Sequence, residues 1–100
     1  MKKEITSIDS VRIISSSEIK NSTDALLIDI RESHEFANGT IPRALTLGRS
    51  FLEIELKKRK TPSNQNIIIF CASGLRSRYA ALSLATLGYI NVYSLKGGFE

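Results

Sequence analysis

The residue best placed to do chemistry is the single cysteine, Cys71, which follows Ile67-Ile68-Ile69-Phe70 and precedes Ala72-Ser73-Gly74-Leu75-Arg76-Ser77. The spacing sets a thiol between the end of a buried strand and the start of a helix. In open α/β sheets the carboxyl ends of strands are where ligands bind, and the free amides and dipole of a helix N-terminus favour negative charge. Gly74 allows a loop tight enough for successive amides to converge, and Arg76 adds a permanent positive charge. All of this favours thiolate over thiol. Cysteines in such settings titrate at roughly 3.5–7.5 instead of about 8.5, so Cys71 is expected to be a nucleophile at neutral pH. A lone cysteine is otherwise often a small buried hydrophobe; it is the strand-Cys-x-x-Gly-x-Arg-helix arrangement that turns the reading towards function.

Other chemistries find fewer residues. With one cysteine there is no internal disulfide, and with His34 as the only histidine there is no set of ligands for a zinc cage. A Cys–His protease would require His34 to face Cys71. Asp29 and Arg31 stand together at the end of an apolar run, where they could pass for catalytic groups.

The elements that must position Cys71 are legible as short apolar runs. Residues 25–30, Ile67-Ile68-Ile69-Phe70 and Val92-Tyr93-Ser94-Leu95 do not alternate between polar and apolar, as expected of strands buried on both faces of a parallel sheet. Ser15-Ser16-Ser17-Glu18 has capping-box spacing and predicts a short helix; residues 32–36 predict another, closed by Asn38-Gly39. Residues 50–59 fit helical spacing, although Leu52, Ile54 and Leu56 also alternate like a strand; helix is the reading adopted. Thr61-Pro62-Ser63-Asn64 reads as a loop. The strongest helix is predicted over 77–87, with Gly88 as its C-terminal glycine. The second half is thus a βαβ unit. Tyr79, Tyr89 and Tyr93 read as packing residues.

The 100 residues suit one domain, and the 42% hydrophobic and 24% charged content is ordinary for a globular protein. No apolar run approaches the roughly 20 residues that cross a bilayer, and no apolar core follows Lys2 and Lys3 as a signal peptide would require. A cytoplasmic location is the expectation, with no membrane partner. The net charge of +4 is unevenly spread: residues 1–56 hold nine acids and seven bases, whereas residues 57–99 hold seven bases and no acid. A site in the second half would favour an anionic substrate or an acidic partner. The basic run at 57–60 is short and lacks interleaved aromatics, so nucleic-acid binding is not expected.

The loop Cys71-Ala72-Ser73-Gly74-Leu75-Arg76-Ser77 resembles the active-site loop of single-domain rhodaneses, which are sulfurtransferases. Leu27-Ile28-Asp29-Ile30-Arg31-Glu32 followed by His34-Glu35-Phe36 resembles the family's first strand and its "DVRE…HEF" segment. Gly39-Thr40-Ile41-Pro42-Arg43-Ala44 is similar to the "GHIPGA" turn, and Leu95-Lys96-Gly97-Gly98-Phe99 to the closing double-glycine turn. The likeness spans about residues 15–100. Leu47-Gly48-Arg49-Ser50-Phe51-Leu52-Glu53 is in addition similar to rhodanese domains fused to adenylyltransferases of molybdopterin and thiamine synthesis. The chain departs from the pattern at Thr40, at Arg43 and at Ala72, where many relatives carry a second arginine. It ends just after the double glycine, where relatives continue into one more helix, and so reads as a single rhodanese-like domain, 1–100, truncated at its C-terminal end.

The resemblance implies an α/β, three-layer domain with a central, mainly parallel sheet flanked by helices. It implies that Cys71 carries sulfur as a persulfide, that Ala72, Ser73, Gly74, Leu75 and Arg76 bind the substrate, and that Asp29, Arg31 and Glu35 support the loop. The donor would be anionic, such as thiosulfate; the acceptor, for want of a second cysteine, would be an external thiol or a sulfur-carrier protein. No metal or organic cofactor is implied. Two other readings remain open: a rhodanese-fold interaction module without turnover, and a phosphatase or arsenate reductase sharing the fold. The phosphatase loops place five residues between cysteine and arginine, where this chain has four, and a histidine where this chain has Phe70.

Overall fold

The computed structural model describes residues 11–15, 24–31, 44–71 and 75–95. Their strands are β1 (Arg12–Ile14), β2 (Leu26–Asp29), β3 (Leu45–Thr46), β4 (Ile67–Phe70) and β5 (Val92–Leu95), and their α-helices are α1 (Leu52–Lys58), entered through a 3-10 turn at Arg49–Phe51, and α2 (Leu75–Thr86). The strands form one sheet in the order β1-β5-β4-β2-β3, and every pairing in it is parallel. The parallel α/β architecture expected from the sequence is therefore the one observed.

The apolar runs became strands because both of their faces are covered. Ile28, Ile30, Ile67, Ile69 and Val92 pack on one side of the sheet with Leu52 and Leu56 of α1, with Ala80, Ala81 and Leu84 of α2, and with Cys71. Leu27, Ile68, Phe70 and Leu95 form a second cluster with Ile14 and Ala25, on the opposite side, as the two-residue period of a strand requires. Burial decides the ambiguity at 50–59: Leu52 and Leu56 are buried one helical turn apart, while Ile54 is 67% exposed.

Both helices end in the same way. Gly88, at φ 108°, closes α2 as its sequence position predicts, with the Gly88 amide donating to the Ala85 carbonyl at 3.1 Å and the Tyr89 amide to that of Leu84 at 3.2 Å. Lys60 does the same for α1 at φ 54°, with the Lys60 amide on the Lys57 carbonyl and that of Thr61 on Leu56. These are paired 5→2 and 6→1 bonds around a left-handed residue.

Three differences from the sequence reading stand out. The strands β1 and β3 were not expected. The helix α2 begins at Leu75, two residues early. Tyr79 is 54% exposed and is not a packing residue, whereas Tyr89 packs on the first cluster, and Tyr93 packs on the second with the Arg12 guanidinium 4.5 Å from its ring centre. Past Ser15, the helix predicted near 15–18 lies outside the described residues, as does the one predicted at 32–36.

Candidate active site

Sheet topology selects one crevice before any side chain is considered. From β2 the chain passes outward to β3; from β4 it passes the other way, to β5. Between β2 and β4, then, neighbouring connections leave in opposite directions, and the space beyond the carboxyl ends of such strands is where open α/β sheets bind ligands. Asp29 pairs with Phe70 in the register of these strands, and the Ile30 amide donates to the Phe70 carbonyl at 3.0 Å. Cys71 and Arg31 emerge from this point.

Cys71 is fully buried, 0% exposed. Four residues on, α2 begins. Ser77 is its third residue, so its amide has no acceptor within the helix; it donates instead to Cys71 Sγ at 3.3 Å. The Ser77 hydroxyl lies 2.6 Å from the hydroxyl of Ser94, both side chains being buried. Ser94 stands in β5 opposite Ile69, two residues before Cys71. A strand end, a helix start and a neighbouring strand thus converge on the sulfur. Burial alone disfavours a thiolate, whereas a fixed amide and the positive end of a helix favour it.

Asp29 and Arg31 form a buried pair. Arg31 Nη2 lies 2.8 Å from Asp29 Oδ2, Nε lies 3.0 Å from each carboxylate oxygen, and the Arg31 amide donates to Oδ1 at 3.0 Å. Removing both charges from water is costly unless the geometry is bidentate, as it is here. By strand alternation Asp29 shares a face with Leu27 and Phe70, the side of the second cluster, while Cys71 packs with the first. The pair therefore sits at the crevice but on the opposite side of the sheet from the thiol.

Arg76 is half-buried on α2, and Leu75 is exposed beside it. Ala72, Ser73, Gly74 and Glu35 lie outside the described residues, as do His34, Thr40 and Arg43. Sequence reasoning missed Ser94; its one signal was a small hydroxyl inside a four-residue buried strand. Among the described residues no group of three or more His, Cys, Asp or Glu side chains is arranged to hold a metal ion, and no helix is long and apolar enough to cross a membrane.

Residues 15–100 match the family model described as the rhodanese-like domain. The chain belongs to the rhodanese-like domain family. This rhodanese-like domain is 36% identical over 94 residues to a sulfurtransferase of Allochromatium vinosum, a match covering 94% of this chain and 84% of that one. It is 37% identical over 76 residues to the thiosulfate sulfurtransferase GlpE of Stutzerimonas stutzeri, covering 76% and 68% of the two chains. Among solved structures, a rhodanese-like domain protein from Staphylococcus aureus superposes with a TM-score of 0.75 at 27% identity, over 88% of this chain and 87% of that one. The rhodanese-like domain described here is thus one of a family that includes sulfurtransferases.

Proposed function

We propose that this rhodanese-like domain is a thiosulfate sulfurtransferase-type enzyme that carries sulfur as a persulfide on Cys71. The observation that carries the reading is the Ser77 amide aimed at Cys71 Sγ at 3.3 Å, at the crevice that sheet topology selects. In the first step the Cys71 thiolate attacks the outer sulfur of an anionic donor such as thiosulfate. A bond forms between Sγ and that sulfur, the donor's sulfur–sulfur bond breaks, and sulfite leaves with the electron pair. The negative charge now rests on the terminal sulfur, beside the start of the helix that carries the Ser77 amide and Arg76. In the second step a thiophilic acceptor attacks the terminal sulfur and Cys71 departs as thiolate. Since Cys71 is the only cysteine, the acceptor is external: cyanide in an assay, a thiol or a sulfur-carrier protein in the cell. The setting we propose is the cytoplasm, where a thiol stays reduced. Neither step calls for a metal or an organic cofactor.

Cys71→Ser tests the proposal. The variant is expected to fold as the parent does and to show no thiosulfate:cyanide sulfurtransferase activity. Activity near that of the parent would overturn it.

A further inference from the structure

One face of α1 and the segment just beyond α2 border a groove of about 480 Å³ whose lining includes Ile54 and Lys57 of α1, Thr61 and Ser63 of the following loop, and Leu87 and Tyr89 beyond α2. The helix α2 starts beside Cys71 and rises for 12 residues, about 18 Å at 1.5 Å per residue, before reaching Leu87. The groove is therefore at the other end of the molecule from the candidate active site.

Several observations point to an occupant. The groove is framed by the fold: Gly88, the left-handed end of α2, lines it, the Ile90 amide donates to the Ser63 carbonyl at 2.9 Å, and Asn91 Nδ2 donates to the Asn64 carbonyl at 2.9 Å. Its apolar lining is not core, since Ile54 is 67% and Leu87 60% exposed. Of its lining residues Lys57 and Glu53 carry charge. Lys57 and its chain neighbours Lys58 and Lys60 are exposed and make no ion pair with a described residue, whereas Arg59 is engaged by Glu55 at 2.8 Å. Glu53, the one acid of the lining, is already committed. It accepts from Arg49 Nη1 at 2.8 and 3.0 Å and from the Ser83 hydroxyl at 2.6 Å. A large apolar side chain fits such a groove, and carboxylates beside it would meet Lys57 and the lysines next to it in the chain.

We propose that this groove docks an acidic segment of another protein, which seats an apolar side chain between Ile54, Leu87 and Tyr89 and sets carboxylates against Lys57, Lys58 and Lys60. The groove lies at the opposite end of α2 from Cys71, so that the surface tethers a partner while sulfur transfer proceeds at the start of the helix.

The test is a titration of the isotope-labelled 100-residue chain with the synthetic peptide acetyl-Asp-Glu-Leu-Phe-Asp-Glu-amide, followed by amide chemical shifts. A second peptide with lysines in place of the acids is the comparison. The expected shifts cluster at Lys57, Thr61, Leu87, Gly88 and Tyr89, weaken with added salt, and are absent with the lysine peptide. Leu87→Ser is expected to weaken binding about tenfold, in keeping with loss of one buried apolar contact, and Lys57→Glu to weaken it further. Both positions are exposed, so each variant's own spectrum shows whether it folds. Neither variant is expected to change thiosulfate:cyanide turnover. No shifts at millimolar peptide, shifts scattered over the surface, equal binding of the lysine peptide, or a concentration-dependent dimer that fills the groove with a second copy would each overturn the proposal.

Discussion

The amide of Ser77 donates to Cys71 Sγ at 3.3 Å, and the same residue's hydroxyl is tied to Ser94 at 2.6 Å. The amide that meets the sulfur is thus anchored to β5 as well as to its own helix. Ser94→Ala is expected to lower stability in urea by about 1 kcal/mol, the net value of one buried hydrogen bond. It is also expected to move the pH midpoint of thiol alkylation upward, because a less firmly held amide stabilises the thiolate less. A loss of stability with an unmoved midpoint would show that Ser94 serves packing alone.

Arg76 should act through its charge, since a guanidinium stays protonated at any working pH. Arg76→Ala is expected to raise the alkylation midpoint of Cys71 and to cut thiosulfate turnover by roughly ten- to a hundredfold, the scale of one charge-assisted hydrogen bond of about 1.5–3 kcal/mol. Arg76→Lys should recover only part of it, because a point charge replaces a planar fork. Arg78, about 200° further around α2, is the control. Equal shifts in Arg76→Ala and Arg78→Ala would reduce the effect to the general field of the basic half of the chain.

The buried Asp29–Arg31 pair yields a stability prediction. Arg31→Met leaves a carboxylate of 0% exposure without its bidentate partner and is expected to cost about 3–5 kcal/mol. Replacing both residues by apolar side chains of similar volume should cost far less. Urea denaturation of the single and double variants measures the difference; equal losses in the two would contradict it.

Glu53 gives a pH dependence. Partial burial raises its pKa, but the Ser83 hydroxyl and the Arg49 guanidinium outweigh this and hold it below the ordinary 4.5. A carboxylate depressed in the folded state contributes stability above its unfolded pKa and loses it as pH falls through the folded value. Glu53→Gln is therefore expected to be less stable than the parent at neutral pH, and the gap should close below about pH 4. Denaturation midpoints at neutral and acid pH check this; a gap that widens on acidification would contradict it.

Much of this arrangement was legible in the sequence, and the reasons are local. Ile67-Ile68-Ile69-Phe70 and Val92-Tyr93-Ser94-Leu95 could be read because each is a short apolar run flanked by neighbours in the sheet, so that composition and burial agree. The strands β1 and β3 could not. Arg12-Ile13-Ile14 and Leu45-Thr46 lie at the two edges, are three and two residues long, and are strands only because β5 and β2 pair with them. Cys71 was legible from the strand-to-helix boundary around it. Ser94 was not, because its role depends on a contact across 17 residues that no local spacing encodes. Tyr79 misled because helical spacing says which residues share a face but not whether anything covers that face.

Persulfide formation on Cys71 is read from the intact mass of the chain after incubation with thiosulfate and removal of excess donor. A gain of one sulfur atom is expected, located by peptide mapping on Cys71, lost on addition of cyanide and absent from Cys71→Ser. An unchanged mass, or a sulfur atom that Cys71→Ser still acquires, would contradict it.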